Sequence, residues 1–457
     1  MFLTISIFLA FSVSAYSSTK QTFSVNRFYG KSNLVTARMD PIVSSGSPSA
    51  HMHLVQGGNG FAISMTDNQA LESTCTSSLV KNDRSNYWTP ALYFQDPRTN
   101  QVEAVELSYM QVYYFFDATT DTIKAFPPGL RMVVGNPDLR SPPDTGGRIN
   151  TNLANGPPQP VQWTCPRSDE SLPLYPADSD GKNGVGIQDP ENRASGVGFP
   201  DKNCDSLAAP LRADIHFPSC YNPSTRLDDY KNNMQFPTNG ICPQGWIHVP
   251  HMFYEVYWNT PKFADRWTPG QSKQPFVLSN GDSTGYSLHG DFIAGWDVDT
   301  LQHIIDNCDS GTDGIDKCPG LIGGLENPSS TCTVENPFPN DVKPGAILSL
   351  PGDNPISQWG SKKNVVHNAV ENTKALPYYK QLISRITSAG RSIINSTADD
   401  SLIENWTHLG CYTDENRDPI VISSIVSGNA KIQNITNIEC VNHCDANSYS
   451  LAIIKYG

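Results

Sequence analysis

The run YSLHGDFIAGWD occupies residues 286–297 and combines a histidine, two carboxylates and two glycines with large aromatic residues. Because side chains alternate along a strand, an extended run places His289 and Asp291 on the same face. His51 and His53 form a second pair with the same spacing, far upstream. The two pairs predict two strands of one β domain that bring their polar side chains to a common cleft.

Composition favours a loop-rich β protein over a helical one. Only 17% of the 457 residues are charged, and glycine and proline contribute 34 and 35 residues. We expect one large, mostly β domain, an antiparallel β-sandwich or jelly-roll-like arrangement with long loops and few short helices, plus a smaller segment. The net charge of -13 argues against nucleic acid or anionic membrane as a partner and leaves neutral polysaccharide open.

The amino-terminal residues predict secretion. An apolar run over residues 2–13 leads into Val13-Ser14-Ala15, which is typical of a signal peptide ending in a small-residue cleavage site, so residues 1–15 are interpreted as a leader. No later stretch is long and apolar enough to predict a transmembrane segment. The expected location is therefore extracellular or in the cell wall.

Eleven cysteines in a secreted chain predict disulfides, and the odd number leaves at least one without an internal partner. Cys165 and Cys204 are placed to tie a loop rich in Pro, Gly, Asp and Asn that runs from residue 137 to residue 210. The cysteines that form an even set in the large N-terminal part are Cys75, Cys165, Cys204, Cys220, Cys242, Cys308, Cys318 and Cys332. The other three are Cys411, Cys440 and Cys444.

Alternating apolar residues predict strands at 23–28, 50–55, 130–136, 211–220 and 241–258, and a hairpin at 102–116. Residues 299–308 follow a helical pattern, and Asp297 is interpreted as its N-cap. On a strand at 50–55, His51 and His53 share one face, which is a recurrent way to present two imidazoles to a divalent metal. The alternative is two polar residues on a half-exposed strand, because most histidines bind no metal.

Carboxylates and aromatic residues supply further candidates. Glu255 lies between aromatic residues on a predicted strand, where desolvation would raise its pKa as a general acid requires, unless the side chain faces water. The aromatic candidates for substrate binding are Trp88, Tyr93 and Trp296. Such rings stack on sugars, although core packing is the commoner role of aromatic residues.

Several ordered motifs carry a family resemblance. They are RMDPIV at 38–43, SAHMH at 49–53, SNYWTPALY at 85–93, HFPSC at 216–220, EVYW at 255–258 and the run ending at Trp296. The chain resembles the secreted fungal proteins that carry the domain of unknown function DUF1996, often followed by WSC domains. The resemblance implies a cell-wall-associated setting and a domain over residues 23–360. Its motifs hold His51, His53, His216, His289 and Asp291, with Arg38 and His216 as support for the site and an Arg38–Asp40 salt bridge holding it in shape.

The C-terminal part of the sequence is interpreted as a linker followed by a small module. Residues 361–406 form a polar linker with a possible helix at 378–394. Residues 407–457 resemble the opening of a WSC module, a cysteine-rich domain associated with cell-wall carbohydrate, and they stop before such modules usually end. Three sequons, at Asn395, Asn405 and Asn434, are expected to be glycosylated.

Three functions remain open from the sequence. The first is hydrolysis of β-glucan or another wall glycan, which needs two carboxylates beside one bond and has Asp291, Glu255 and Asp40 as candidates. The second is non-catalytic carbohydrate binding or a structural role in the wall. The third is a metal-dependent site on His51, His53 and His289, with Asp291 as a ligand or hydrogen-bond partner.

Overall fold

A computed structural model describes residues 23–28, 33–116, 120–169, 171, 173–206, 210–308, 310–357 and 359, together with two strands near the C-terminus. The chain divides into two compact units, Met1–Val365 and Val366–Gly457. No helix in the described part of the chain has the length and apolarity of a membrane span.

Short strands make up most of the regular structure in the first unit. In chain order they are β1 (Phe23–Arg27), β2 (Val35–Ala37), β3 (His53–Gly57), β4 (Asn86–Pro90), β5 (Leu92–Gln95), β6 (Val102–Ala104), β7 (Leu107–Phe115), β8 (Arg131–Gly135), β9 (Val161–Thr164), β10 (Ile187–Gln188), β11 (Ser195–Val197), β12 (Arg212–His216), β13 (Cys220–Tyr221), β14 (Met234–Gln235), β15 (Ile247–His248), β16 (His251–Trp258), β17 (Phe276–Leu278) and β18 (His289–Ile293). The helical elements are α1 (Val298–Asn307) and 3₁₀ turns at Gln69–Glu72, Leu153–Asn155, Thr260–Phe263, Ile315–Lys317 and Pro339–Asp341. In the second unit, β19 (Trp406–Tyr412) pairs antiparallel with β20 (Ser450–Lys455).

Two antiparallel sheets dominate the first unit. The seven-stranded sheet has the order β1-β7-β16-β12-β9-β11-β10, and the five-stranded sheet has the order β2-β3-β4-β18-β8. Two smaller sheets, β14-β13-β15 and β17-β5-β6, complete the unit. The predicted hairpin at 102–116 is wrong, because β6 pairs with β5 whereas β7 pairs with β1 and β16.

The main core lies between the two large sheets. Alternate residues of β16, including Met252, Tyr254 and Val256, are buried in the same apolar cluster as Phe292 of β18. The Tyr254 hydroxyl donates a hydrogen bond across the core to the carbonyl of Asp291, at 3.0 Å. The prediction of a mostly β, antiparallel sandwich with few short helices is confirmed.

A second core covers the other face of the five-stranded sheet. Val55, Trp88 and Ile293 are buried there with Phe61 and Cys332. His53 lies two residues before Val55, and Asp291 lies two residues before Ile293, so strand alternation places both on this face. The fold thus directs the polar residues of β3 and β18 away from the sandwich core and under a separate apolar cover.

The prediction of an even disulfide framework is confirmed, including the predicted tie between Cys165 and Cys204. The four pairs are Cys75–Cys332, Cys165–Cys204, Cys220–Cys242 and Cys308–Cys318. The predicted cap of α1 is also confirmed, because the Asp297 side chain accepts a hydrogen bond from the amide of Thr300 at 2.9 Å. The predicted leader, the helix at 378–394, the three sequons and most of residues 407–457 lie outside the described residues.

Candidate metal centre

Three histidine side chains meet on the outward face of the five-stranded sheet. His53 begins β3, His51 lies two residues before it, and His289 begins β18. One ring nitrogen from each histidine lies within 4.8 Å of the other two, and Nε2 of His51 is 3.1 Å from Nε2 of His289. The prediction that the two sequence pairs meet in one place holds for these three residues.

Backbone carbonyls orient two of the rings. Nδ1 of His53 lies 3.0 Å from the carbonyl of Met39, and Nδ1 of His289 lies 2.7 Å from the carbonyl of Ser287. Because a carbonyl only accepts hydrogen bonds, each Nδ1 carries the proton and each Nε2 keeps its lone pair. Nε2 of His53 is buried and has no hydrogen-bond partner among the described residues. Both rings therefore present an unprotonated nitrogen to the centre of the cluster.

Burial keeps these rings neutral. It lowers the pKa of His53 to about 4, although the bond to Met39 opposes this change. Burial also lowers the pKa of His289 to about 4, and the nearby His53 adds to the effect. A neutral imidazole is the form that binds a metal, so the two rings are competent ligands at neutral pH.

Two carboxylates lie beside the histidines. Asp40 accepts hydrogen bonds from the amides of Ile42 and Val43, at 3.0 and 3.1 Å, and its charge acts on the pKa of His289. Oδ2 of Asp291 is buried and lacks a hydrogen-bond partner within the described residues. Burial raises the pKa of Asp291 well above its usual range, and the charge of Asp40 raises it further. Asp40 thus interacts electrostatically with His289, and Asp291 lies two residues after His289 on the same face of β18.

This donor set fits a divalent transition metal. Two nitrogens bound to one tetrahedral ion at about 2.0–2.1 Å lie roughly 3.3 Å apart, close to the observed separation of the His51 and His289 nitrogens. Three imidazoles leave a further coordination position, and metal-binding histidines usually donate their other N–H to a carbonyl or carboxylate, as His53 and His289 do. The residues present therefore satisfy the chemistry of a three-histidine site.

The comparison with protein families gives one match. Residues 40–296 match the model described as Domain of unknown function (DUF1996). The chain belongs to the DUF1996 family. No curated protein and no solved structure matches the chain. The matched range contains Asp40, Asp291 and the three histidines, so the site lies wholly within the DUF1996 domain.

Glu255 does not join this site. It follows Tyr254, whose side chain points into the sandwich core, so Glu255 points to the opposite face of the seven-stranded sheet. There its carboxylate accepts hydrogen bonds from Gln111 and, at 3.0 Å, from Tyr257, and forms a salt bridge of 2.6 Å with Arg212. The structure therefore brings only Asp40 and Asp291 together among the three carboxylate candidates.

The two residues expected to support the site lie elsewhere or pair differently. His216 is on the outer face of the seven-stranded sheet, where it stacks on Phe253 and lies 3.0 Å from His251. Arg38 pairs with Asp341 at 2.7 Å, not with Asp40 as expected, because the backbone turn after Asp40 occupies that carboxylate. Arg38 nevertheless borders the site through its neighbour Met39.

The aromatic candidates of the DUF1996 domain lie in its cores. Trp88 and Trp296 have no exposed surface, and Tyr93 is buried against Met52 and Leu350. Trp296 donates its N–H to the hydroxyl of Tyr114 at 3.1 Å. A sugar stacks only on an accessible ring face, so in this structure these rings serve packing.

Sequence reasoning missed the two carbonyls that orient the site. Those of Met39 and Ser287 act through the backbone, and no side-chain pattern marks a carbonyl. Met39 lies between two residues that were singled out, and Ser287 lies within the opening run, so proximity in the sequence was the only available signal.

Proposed function

We propose that this DUF1996 protein is a secreted metal-dependent hydrolase of wall polysaccharide, with His51, His53 and His289 as the ligands of one divalent transition-metal ion. One observation carries the proposal: the buried imidazoles converge, and Nε2 of His53 has no hydrogen-bond partner among the described residues. Leaving a buried polar atom unpaired costs about 1–3 kcal/mol. A bound ion would remove that cost for His53.

The carboxylates give the site its proposed chemistry. When bound, a divalent ion supplies a Lewis acid for hydrolysis. Asp291 shares a face of β18 with His289 and offers a buried carboxylate oxygen, to which we assign the role of holding a proton during the reaction. Asp40 is fixed by two backbone amides and adds a second carboxylate.

The other two hypotheses have less support. A hydrolase that relies on carboxylates alone would have only Asp40 and Asp291 at one site, since Glu255 faces the other side of its sheet. Carbohydrate binding by Trp88 and Trp296 requires ring faces that are buried. Four disulfides and the predicted leader support the secreted setting, and the family resemblance suggests the polysaccharide.

The test is the metal content of the purified protein, measured by plasma mass spectrometry for the wild type and a His51→Ala, His53→Ala double variant. His303→Ala is the matched control, because His303 lies on helix α1, away from the cluster. We expect about one ion per chain in the wild type and the control, and none in the double variant. Circular dichroism checks that each variant is folded. A wild type that retains no metal after incubation with zinc, manganese, cobalt or copper salts overturns the proposal.

A further inference from the structure

An open groove of about 610 Å³ is lined by Arg38 and by residues of the segment 340–353. One side carries Arg38, Asn340, Asp341 and Lys343, and the other is formed by residues 347–353. The groove is large enough for several units of a polymer in extended form, as ligand sites usually occupy about 300–1,000 Å³.

The groove and the histidine site share the chain segment 38–40. The Arg38 side chain lines the groove, the carbonyl of the next residue, Met39, orients His53, and the carboxylate of Asp40 acts on His289. Three consecutive residues therefore face the groove and the site in turn, which places the two side by side.

A second shared segment leads to His51. Arg38 donates to the carbonyl of Ser49 at 3.3 Å, and Asn354 donates to the carbonyl of Ala50 at 2.8 Å. Gly352 packs so closely that an added Cβ would lie 2.3 Å from the Ala50 oxygen. The wall of the groove is thus attached to the residue that precedes His51.

The three histidines differ slightly in exposure. His51 retains 8% of its surface, whereas His53 retains 1% and His289 retains 3%. His51 is thus the most accessible of the three ligands, and the contacts of Asn354 and Gly352 bring the groove wall to the residue that precedes it.

We infer that this groove binds the substrate of the metal centre and that the substrate is a neutral, hydroxyl-rich polymer, a glycan chain. The inference rests on the proposed function and adds a location and contacts for the substrate. Asn340, Lys343 and Ser349 supply donors along the groove, and Asp341 and Asp353 supply acceptors. Sugar hydroxyls both donate and accept, so they match such a mixed lining.

The charges of the groove favour a neutral ligand. Arg38 and Lys343 are balanced by Asp341 and Asp353, and the Arg38–Asp341 pair is 2.7 Å long. A polyanion or polycation would gain no net attraction there. At the rim, Leu348 is 86% exposed, which provides an apolar contact for the C–H face of a sugar.

A peptide substrate fits the groove less well. An extended peptide binds by adding a strand to a free sheet edge. The amide and carbonyl of Ile347, which line the groove, already bond to Val102 at 2.8 and 2.9 Å. The backbone groups of Ile347 are therefore not free to pair with a peptide strand. The groove is better suited to a ligand whose hydroxyl groups bind to its side chains.

The test measures binding of neutral hexasaccharides, β-1,3-linked and β-1,4-linked glucose, to the metal-loaded full chain by calorimetry. Ser349→Trp places an indole in the exposed lining of the groove, and Ser329→Trp places one at an exposed serine outside that lining. We expect wild type and Ser329→Trp to bind equally, and Ser349→Trp to lose roughly tenfold or more in affinity with its metal content unchanged.

The other outcomes distinguish between three claims: the groove as the binding site, the glycan as the ligand class and the metal centre. Equal affinity in Ser349→Trp and Ser329→Trp overturns the groove as the binding site. A metal-loaded wild type that binds neither hexasaccharide, or that binds a casein digest instead, overturns the glycan class. Loss of glycan binding in Ser349→Trp together with a metal-free wild type supports the groove and overturns only the metal centre.

Discussion

Asp83 links the two large sheets and makes the stability of the protein depend on pH. Its carboxylate has no exposed surface and accepts hydrogen bonds from Asn26 of β1, at 2.8 Å, and from Tyr87 of β4, at 2.7 Å. Burial raises the pKa of Asp83 from 3.8 to about 6, although hydrogen bonds from Tyr87 and Ser85 oppose the change. The folded protein therefore binds a proton at Asp83 more tightly than the unfolded chain does.

The sign and size of the effect follow from these two pKa values. A carboxyl whose pKa is raised on folding stabilises the folded state fully below the unfolded pKa, and this stability is lost as pH rises through the folded pKa. With pKa values of 3.8 and about 6, the free energy of unfolding falls by about 1.4 kcal/mol between about pH 5 and about pH 8 from this residue alone.

Urea unfolding at the two pH values tests the prediction for wild type, Asp83→Asn and Asp306→Asn. Asp306 is an exposed carboxylate on α1 and serves as the matched control. Asp83→Asn weakens hydrogen bonds and lowers the free energy of unfolding at both pH values. The quantity compared between variants is therefore the difference in the free energy of unfolding between the two pH values. We expect wild type and Asp306→Asn to lose about 1.4 kcal/mol more than Asp83→Asn on going to the higher pH. The same pH dependence in wild type and Asp83→Asn would refute the raised pKa.

Two further predictions concern stability. Arg212→Met leaves two buried carboxylates without the guanidinium that bridges them at 2.5 and 2.6 Å, so we expect urea unfolding to show a loss of about 3–5 kcal/mol, and a loss below about 1 kcal/mol would contradict this. Replacing Cys75 and Cys332 by serine removes a disulfide that joins residues 257 positions apart. Replacing Cys308 and Cys318 by serine removes one that joins residues 10 positions apart. Loop-closure entropy predicts losses of about 5.5 and about 2.7 kcal/mol, and equal losses in urea unfolding would be inconsistent with it.

The alternation of side chains along a strand made the common orientation of His289 and Asp291 predictable from the sequence. His289 and Asp291 share a face of β18 because they are two residues apart, as expected if the run is extended. The meeting of His53 with His289 depends on the order β3-β4-β18, in which a third strand lies between them. That order is a property of the whole sheet, and no local pattern in either strand encodes it.

The same alternation explains why Glu255 was misplaced. Its strand, β16, has aromatic residues on both faces, so the period of two separated the faces without indicating which one is inward. The inward face is set by packing against the five-stranded sheet, where Tyr254 contacts Tyr87 of β4. A strand with similar residues on both sides thus gives the direction of its side chains only after the tertiary structure is known.

The groove could not be predicted from sequence because its two sides are distant along the chain. Arg38 and Asp341 are separated by 303 residues, and residues 347–353 form a loop without helical or strand periodicity. Loops are positioned by single contacts, here the bonds from Asn354 and Arg38 to the segment before His51. Such contacts leave no repeated pattern in the sequence.

The disulfide between Cys75 and Cys332 can form only after a long delay during synthesis of the chain. Ribosomes add about 5–20 residues per second, so Cys332 is synthesised roughly 13 to 50 s after Cys75, given their separation of 257 residues. Six other cysteines of the first unit emerge during this interval. The thiol of Cys75 must therefore either stay reduced until Cys332 is synthesised or, if it first pairs with one of them, be released by thiol–disulfide exchange.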